Sequence, residues 1–200
     1  VPTSAAQSTL TFQEGLGGYN GTRDTGVRST LPNTDAGQWQ YFGWDNNVIQ
    51  DTFTFQNGNG GYAGTSDTVI GQAAPTTNAG SWTYWGWDTD ALGQPYPSYV
   101  LIKFSALIGT GSGQIQPSSQ INSAIFEYDV YNTGGTANVH VMNSSWSEST
   151  TWSSFSYNYN SSATSTASGG LQGSCDLTQS VQAISNGGPN HGWVFIPVTK

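Results

Sequence analysis

The sequence predicts an all-β chain, a jelly-roll-like β-sandwich extended at its N-terminus by a duplicated β-ribbon. Three observations carry that expectation. No window keeps the i, i+3, i+4, i+7 apolar spacing of a helix through three turns, whereas period-two alternation of β-branched and aromatic residues recurs along the chain. Between the alternating runs lie joints such as 109–114 (GTGSGQ), 132–136 (NTGGT) and 185–190 (SNGGPN), rich in residues that tolerate the backbone of tight turns. Residues 11–45 (TFQEGLGGYNGTRDTGVRSTLPNTDAGQWQYFGWD) and 54–88 (TFQNGNGGYAGTSDTVIGQAAPTTNAGSWTYWGWD) match at 20 of 35 positions. Chance does not supply such a repeat.

The elements follow in chain order. Residues 1–10 read as an N-terminal arm, 11–50 as an orphan half repeat forming a ribbon, and 51–200 as one sandwich module, because everything after Asp88 occurs once. Each repeat copy ends in an aromatic run. Alternation places Trp39 and Tyr41 on one face and Phe42 and Trp44 on the other; the second copy divides Trp82 and Tyr84 from Trp85 and Trp87 in the same way. A strand with two aromatic faces has one for the core and one that meets a neighbouring copy, a sugar or another subunit. Strands are predicted at 99–104 (YVLIKF), 123–130 (SAIFEYDV), 137–142 (ANVHVM) and 191–198 (HGWVFIPV). The run 153–173 is Ser/Thr/Asn-rich but carries Phe155, Tyr157 and Tyr159, next to Trp152, so it reads as an ordered loop with aromatic anchors. Only 176–184 (DLTQSVQAI) reads as a helix, with Asp176 as its cap and Leu177, Val181 and Ile184 on one face.

Composition narrows the partners. Of the 200 residues 35% are hydrophobic and 13% aromatic, enough for a core. Only 8% are charged, against about 25% in ordinary soluble domains. Four Lys and Arg against twelve Asp and Glu give a net charge of −8, which offers nothing to phosphate backbones or anionic lipid. Nucleic acid is therefore not expected as a partner. Nor does any stretch approach the ~20 apolar residues of a membrane-spanning helix. The Val1-Pro2 start without Met fits an exported product, and the expected location is extracellular or at the cell surface. Cys175, the single cysteine, has no internal partner and reads as a small buried hydrophobe. Asn20, Asn143 and Asn160 head Asn-X-Ser/Thr sequences.

The order of DTVIGQAAPTTNAGSWTYWGWD, VLIKF, SAIFEYDV, WSESTTW, DLTQSVQAISNG and NHGWVFI resembles the extracellular DNRLRE, or disaggregatase-related, β-sandwich domain over about residues 51–198. The resemblance implies an accessory module of secreted or surface proteins, akin to alginate-binding carbohydrate modules with a jelly-roll fold, and it makes a structural calcium unsurprising. It also implies that Glu148, within WSESTTW, is a structural loop residue.

Candidate chemistry is sparse. Glu127 and Asp129, two apart on one strand, put two carboxylates on one side, but no third polar group or pocket accompanies them and a solvated strand face explains them better. His140 and His191 stand about fifty residues apart with no thiolate pair, so zinc is not supported. For calcium, Asp88 and Asp90 in WDTDALG are the best local pair, although the same spacing serves ordinary turns. Trp39, Tyr41, Trp82 and Tyr84 are the candidate contacts to a glycan or a subunit. The leading expectation is a non-catalytic extracellular structural protein. Its copies would join head to tail into a fibre or coat through the strand at residues 1–13 and the half repeat, favoured by unpaired strand edges and scarce surface charge. The alternative is a carbohydrate-binding module, for a polysaccharide or alginate-like glycan, that uses the repeated Trp/Tyr faces.

Overall fold

The computed structural model describes residues 50–90, 95–130 and 132–198. The chain divides into two compact units, Val1–Asp51 and Thr52–Lys200. The arm at 1–10 and the half repeat through residue 49, Trp39 and Tyr41 included, lie outside the described residues.

Two antiparallel sheets and one short helix make up the described fold. Seven strands, β1 (Thr65–Gly71), β2 (Ser98–Phe104), β3 (Ile125–Asp129), β4 (Ala137–Val141), β5 (Ser165–Ala167), β6 (Gln172–Asp176) and β7 (Trp193–Pro197), are joined by α1 (Thr178–Ser185) between β6 and β7. Five strands form one sheet in the order β1-β2-β7-β4-β5, and β3 pairs with β6 in a second. All pairings are antiparallel.

The register explains why β2 and β7 are continuously apolar. Val100 lies opposite Phe195, and Phe195 opposite Val139, so these side chains share one face of the larger sheet. Together with Ile102 and Trp193 they pack against Phe126 and Tyr128 of β3, Cys175 of β6, and Leu177 and Val181 at the helix. Leu101 and Val194 point the other way and join Ile70, Met142, Trp146 and Phe155 in a second cluster. With apolar cover on both faces, a central strand has no polar face to show. The 143–160 segment supplies the second cover. Phe155 is buried and Trp152 and Tyr159 pack beside it, so these aromatics anchor the loop.

The helix begins slightly later than its sequence suggests. Leu177 occupies the N-cap position without a side-chain bond, and Asp176 instead accepts the Thr178 N–H at 2.8 Å from one residue further out. Leu177 and Val181 are buried, with Ile184 packed beside them. Three strands, β1, β5 and β6, are not evident in the sequence. β5 has only three residues, and the inward positions of β6 are Gly173 and Cys175, too small to stand out as an alternating apolar run.

The strand expected in the second aromatic run does not form. Residues 81–87 are irregular, and regular pairing begins only with the Asp88–Ser98 bridge. The large indoles, not a backbone ladder, fix this segment.

Candidate functional site: an aromatic cleft

Beside the shared core opens a cleft of about 1030 Å³. Its walls are the end of β1, the 73–90 loop, the end of β3, the 132–135 turn and Gly169. Its floor is aromatic. Trp87 stacks on Phe195 of the core with ring centroids 5.5 Å apart and planes 13° apart, meets Tyr128 edge-on at 5.7 Å, and donates its Nε1–H to the Gly135 carbonyl at 3.0 Å. Trp85, half-buried, packs on the same cluster. These contacts spend the ring faces of Trp87 on packing.

Tyr128 is held at both ends. Its ring stacks on Phe126 at 5.4 Å and its hydroxyl donates to the Ser168 carbonyl at 2.8 Å. Burial, and secondarily the neighbouring Cys175, pushes the Tyr128 hydroxyl above the ordinary phenol range. Behind it Gly169 runs so close to the backbone of Gly134 and Gly135 that any side chain there would collide. That approach closes the wall.

The rim differs from the floor. Trp82 is 55% exposed and Tyr84 70% exposed, and both line the cleft. The division of Trp82 and Tyr84 from Trp85 and Trp87 is the one that alternation suggests, although no strand produces it. The loop carrying the rim is braced at its base. Ala79 is buried, the Trp82 N–H bonds the Ala79 carbonyl at 3.0 Å, and Gly80 abuts the backbone of Glu148. Near Glu148, Asp67 on β1 has its carboxyl raised above the ordinary range, first by burial and then by that second carboxylate.

Polar residues also line the cleft: Asp88 and Asp90, Asp129 at the end of β3, and Asn132 and Thr133 just beyond it. Asp88 exchanges backbone bonds with Ser98 at 3.3 and 2.9 Å, and its Oδ1 accepts the Asp90 N–H at 3.0 Å. Turns of this kind commonly carry an Asp-x-Asp spacing. Among the described residues, no three His, Cys, Asp or Glu side chains gather as a metal site.

The remaining candidates lie apart. Glu127 and Asp129 are exposed on the outer face of β3, and only Asp129 reaches the cleft. His140 is buried, its Nδ1 2.8 Å from the Asn160 carbonyl and its ring 5.3 Å from that of Tyr159; the His191 carbonyl accepts the Trp146 indole N–H at 2.8 Å. The two histidines thus serve separate packing contacts. Asn143 and Asn160 are both exposed. Sequence reasoning missed Tyr128, Asn132, Thr133 and Gly169 as cleft residues. They are brought to the 82–90 loop only by the fold.

No helix among the described residues is long and apolar enough to cross a membrane. No protein family, curated protein or solved structure matches this chain.

Proposed function

We propose that this chain is a non-catalytic, extracellular glycan-binding module whose site is the aromatic cleft. The observation that carries the reading is the division of labour within one loop. Trp85 and Trp87 are half-buried against the core, whereas Trp82 and Tyr84 line the same cleft with most of their surface in solvent. Apolar ring surface at the mouth of a concave site matches the C–H faces of pyranose rings, and a few convergent carboxylate, amide and hydroxyl groups match their hydroxyls. On this reading the two sheets belong to a jelly-roll-like sandwich of the DNRLRE kind, with residues 11–50 as its ribbon extension. Intrinsic Trp fluorescence titrated with soluble oligosaccharides tests the proposal. Saturable quenching that Trp82→Ala weakens is expected; a flat response to every glycan sinks it.

A second reading, head-to-tail self-association, draws on one feature. β1, seven residues long, is an edge of the larger sheet, and among the described residues no strand covers its outer side. Such an edge accepts a strand from another chain. Its proposed donor, residues 1–13, lies outside the described residues. Light scattering and electron microscopy on the full chain and on a chain lacking residues 1–13 decide it: a full chain that stays monomeric when concentrated rules it out.

A further inference from the structure

We propose that the cleft, in contrast to the alginate-binding modules that the sequence resembles, selects uncharged glycans and turns away uronic-acid and sulfated chains; this rests on the glycan-binding reading and names its substrate class. The argument is electrostatic. The cleft is lined by Asp88, Asp90 and Asp129, and among its described lining residues none is Lys, Arg or His. The whole chain has four Lys and Arg against twelve acidic residues, so the long-range field of net charge −8 also disfavours an approaching anion. The single described cation, Lys103, sits opposite Ser66 on β1, one residue out of step with Ile102 and therefore on the face of the sheet away from Tyr128. Its Nζ lies 5.6 Å from the centre of the Trp146 ring, within the second cluster's surroundings and not at the cleft.

An anionic chain needs the opposite arrangement. Carboxylate and sulfate groups are recognised by guanidinium forks, ammonium groups or exposed backbone N–H groups. The polar groups of this cleft instead suit hydroxyls. Carboxylate oxygens accept from sugar O–H groups, and the Asn132 amide and Thr133 hydroxyl both donate and accept. A uronate chain carries one negative charge on every ring, so repulsion accumulates with each ring the cleft holds, while stacking on Trp82 does not discriminate. The preference should therefore grow with chain length and shrink with salt, as charges separated by more than about 10 Å are screened at 0.1 M ionic strength.

The test measures affinity by calorimetry for matched hexasaccharides: neutral chains of β-1,4-linked glucose, mannose and N-acetylglucosamine against oligomannuronate, oligoguluronate and oligogalacturonate. Each is titrated at low and high ionic strength into the intact chain and into an Asp129→Lys variant, which replaces an exposed carboxylate on the outer face of β3. At least one neutral chain is expected to bind, with uronates about tenfold or more weaker at low salt. Added salt and Asp129→Lys should both narrow that gap. Uronates that bind as well as or better than every neutral chain overturn the selectivity while leaving the glycan site standing. If neither class binds, the glycan reading fails and this inference with it.

Discussion

The ring of Tyr128 occupies the space that a side chain on Gly173 would fill. The two residues are directly paired across β3 and β6, and a Cβ built on Gly173 would run into the Tyr128 ring and hydroxyl. The glycine is needed here for space and not for an unusual backbone, as its φ does not lie in the left-handed region. Covering a strand glycine with a cross-strand aromatic is a recognised way to stabilise a sheet. Here it also fixes the floor of the cleft, because the same ring meets Trp87 edge-on at 5.7 Å.

Gly173→Ala should accordingly cost about 1–3 kcal/mol, the range for forcing an extra methyl into a packed site. Its denaturation midpoint is expected to fall with an unchanged denaturant slope, and, on the glycan-binding proposal, affinity should fall with it as Tyr128 is displaced. A variant as stable as the parent would show that the ring does not depend on the missing side chain.

How much of this was legible in the sequence depends on whether a pattern is local. The runs at 99–104 and 191–198 are dense in apolar residues because both faces of β2 and β7 are covered, and that density survives in a single sequence. The separation of exposed Trp82 and Tyr84 from half-buried Trp85 and Trp87 agrees with the expected division, although the irregular 81–87 segment does not owe it to a strand. β6 was not legible: its inward positions are Gly173, whose side-chain space the Tyr128 ring fills, and the small Cys175 opposite Phe126. Nor was the cleft as a whole. It joins the 82–90 loop to Tyr128, the 132–135 turn and Gly169, and nothing in the local spacing of any one segment encodes that meeting.

Asp67 gives a pH-dependent prediction. Burial and the nearby Glu148 raise its carboxyl above the ordinary value of 3.8, so the fold favours the neutral acid. The associated stability is fully present below the unfolded-state value and is lost as pH rises through the raised folded-state value. Asp67→Asn, which stays neutral, should be more stable than the parent at pH 7, and the difference should vanish below about pH 3.8. Thermal melts of both chains across this range check it; an Asn variant that is less stable at pH 7 and equal only in acid would reverse the sign and refute the assignment.

Cys175 should be chemically silent in the fold. Burial, with a lesser contribution from the neighbouring Asp176, pushes its thiol up to about 12. The thiolate is the reactive form, so at pH 8 almost none is present and access is closed as well. A thiol reagent should label the native chain only at the rate of unfolding, and promptly once denaturant is added. The same shift makes stability fall as pH rises from about 9 towards 12, because unfolding releases a proton that the folded thiol retains. Rapid labelling of the native chain at pH 8 would contradict the burial.

Trp82 and Trp87, five residues apart on one loop, should answer to different measurements. Trp87 is half-buried, stacked on Phe195 and bonded to Gly135, so truncating it removes core packing and orphans a carbonyl. Trp87→Ala should cost about 2–4 kcal/mol, somewhat under the usual figure for a fully buried aromatic. Trp82 is 55% exposed and its only described backbone tie, the N–H to Ala79, survives truncation. Trp82→Ala should therefore stay within about 0.5 kcal/mol of the parent. If its ring is a sugar platform, the same change should weaken glycan affinity about tenfold, the scale of a stacking contact worth roughly 1.4 kcal/mol. Urea melts and glycan titrations on the two variants separate scaffold from site. A Trp82→Ala chain that loses stability like Trp87→Ala while keeping its affinity would assign Trp82 to the scaffold and leave the cleft without its rim contact.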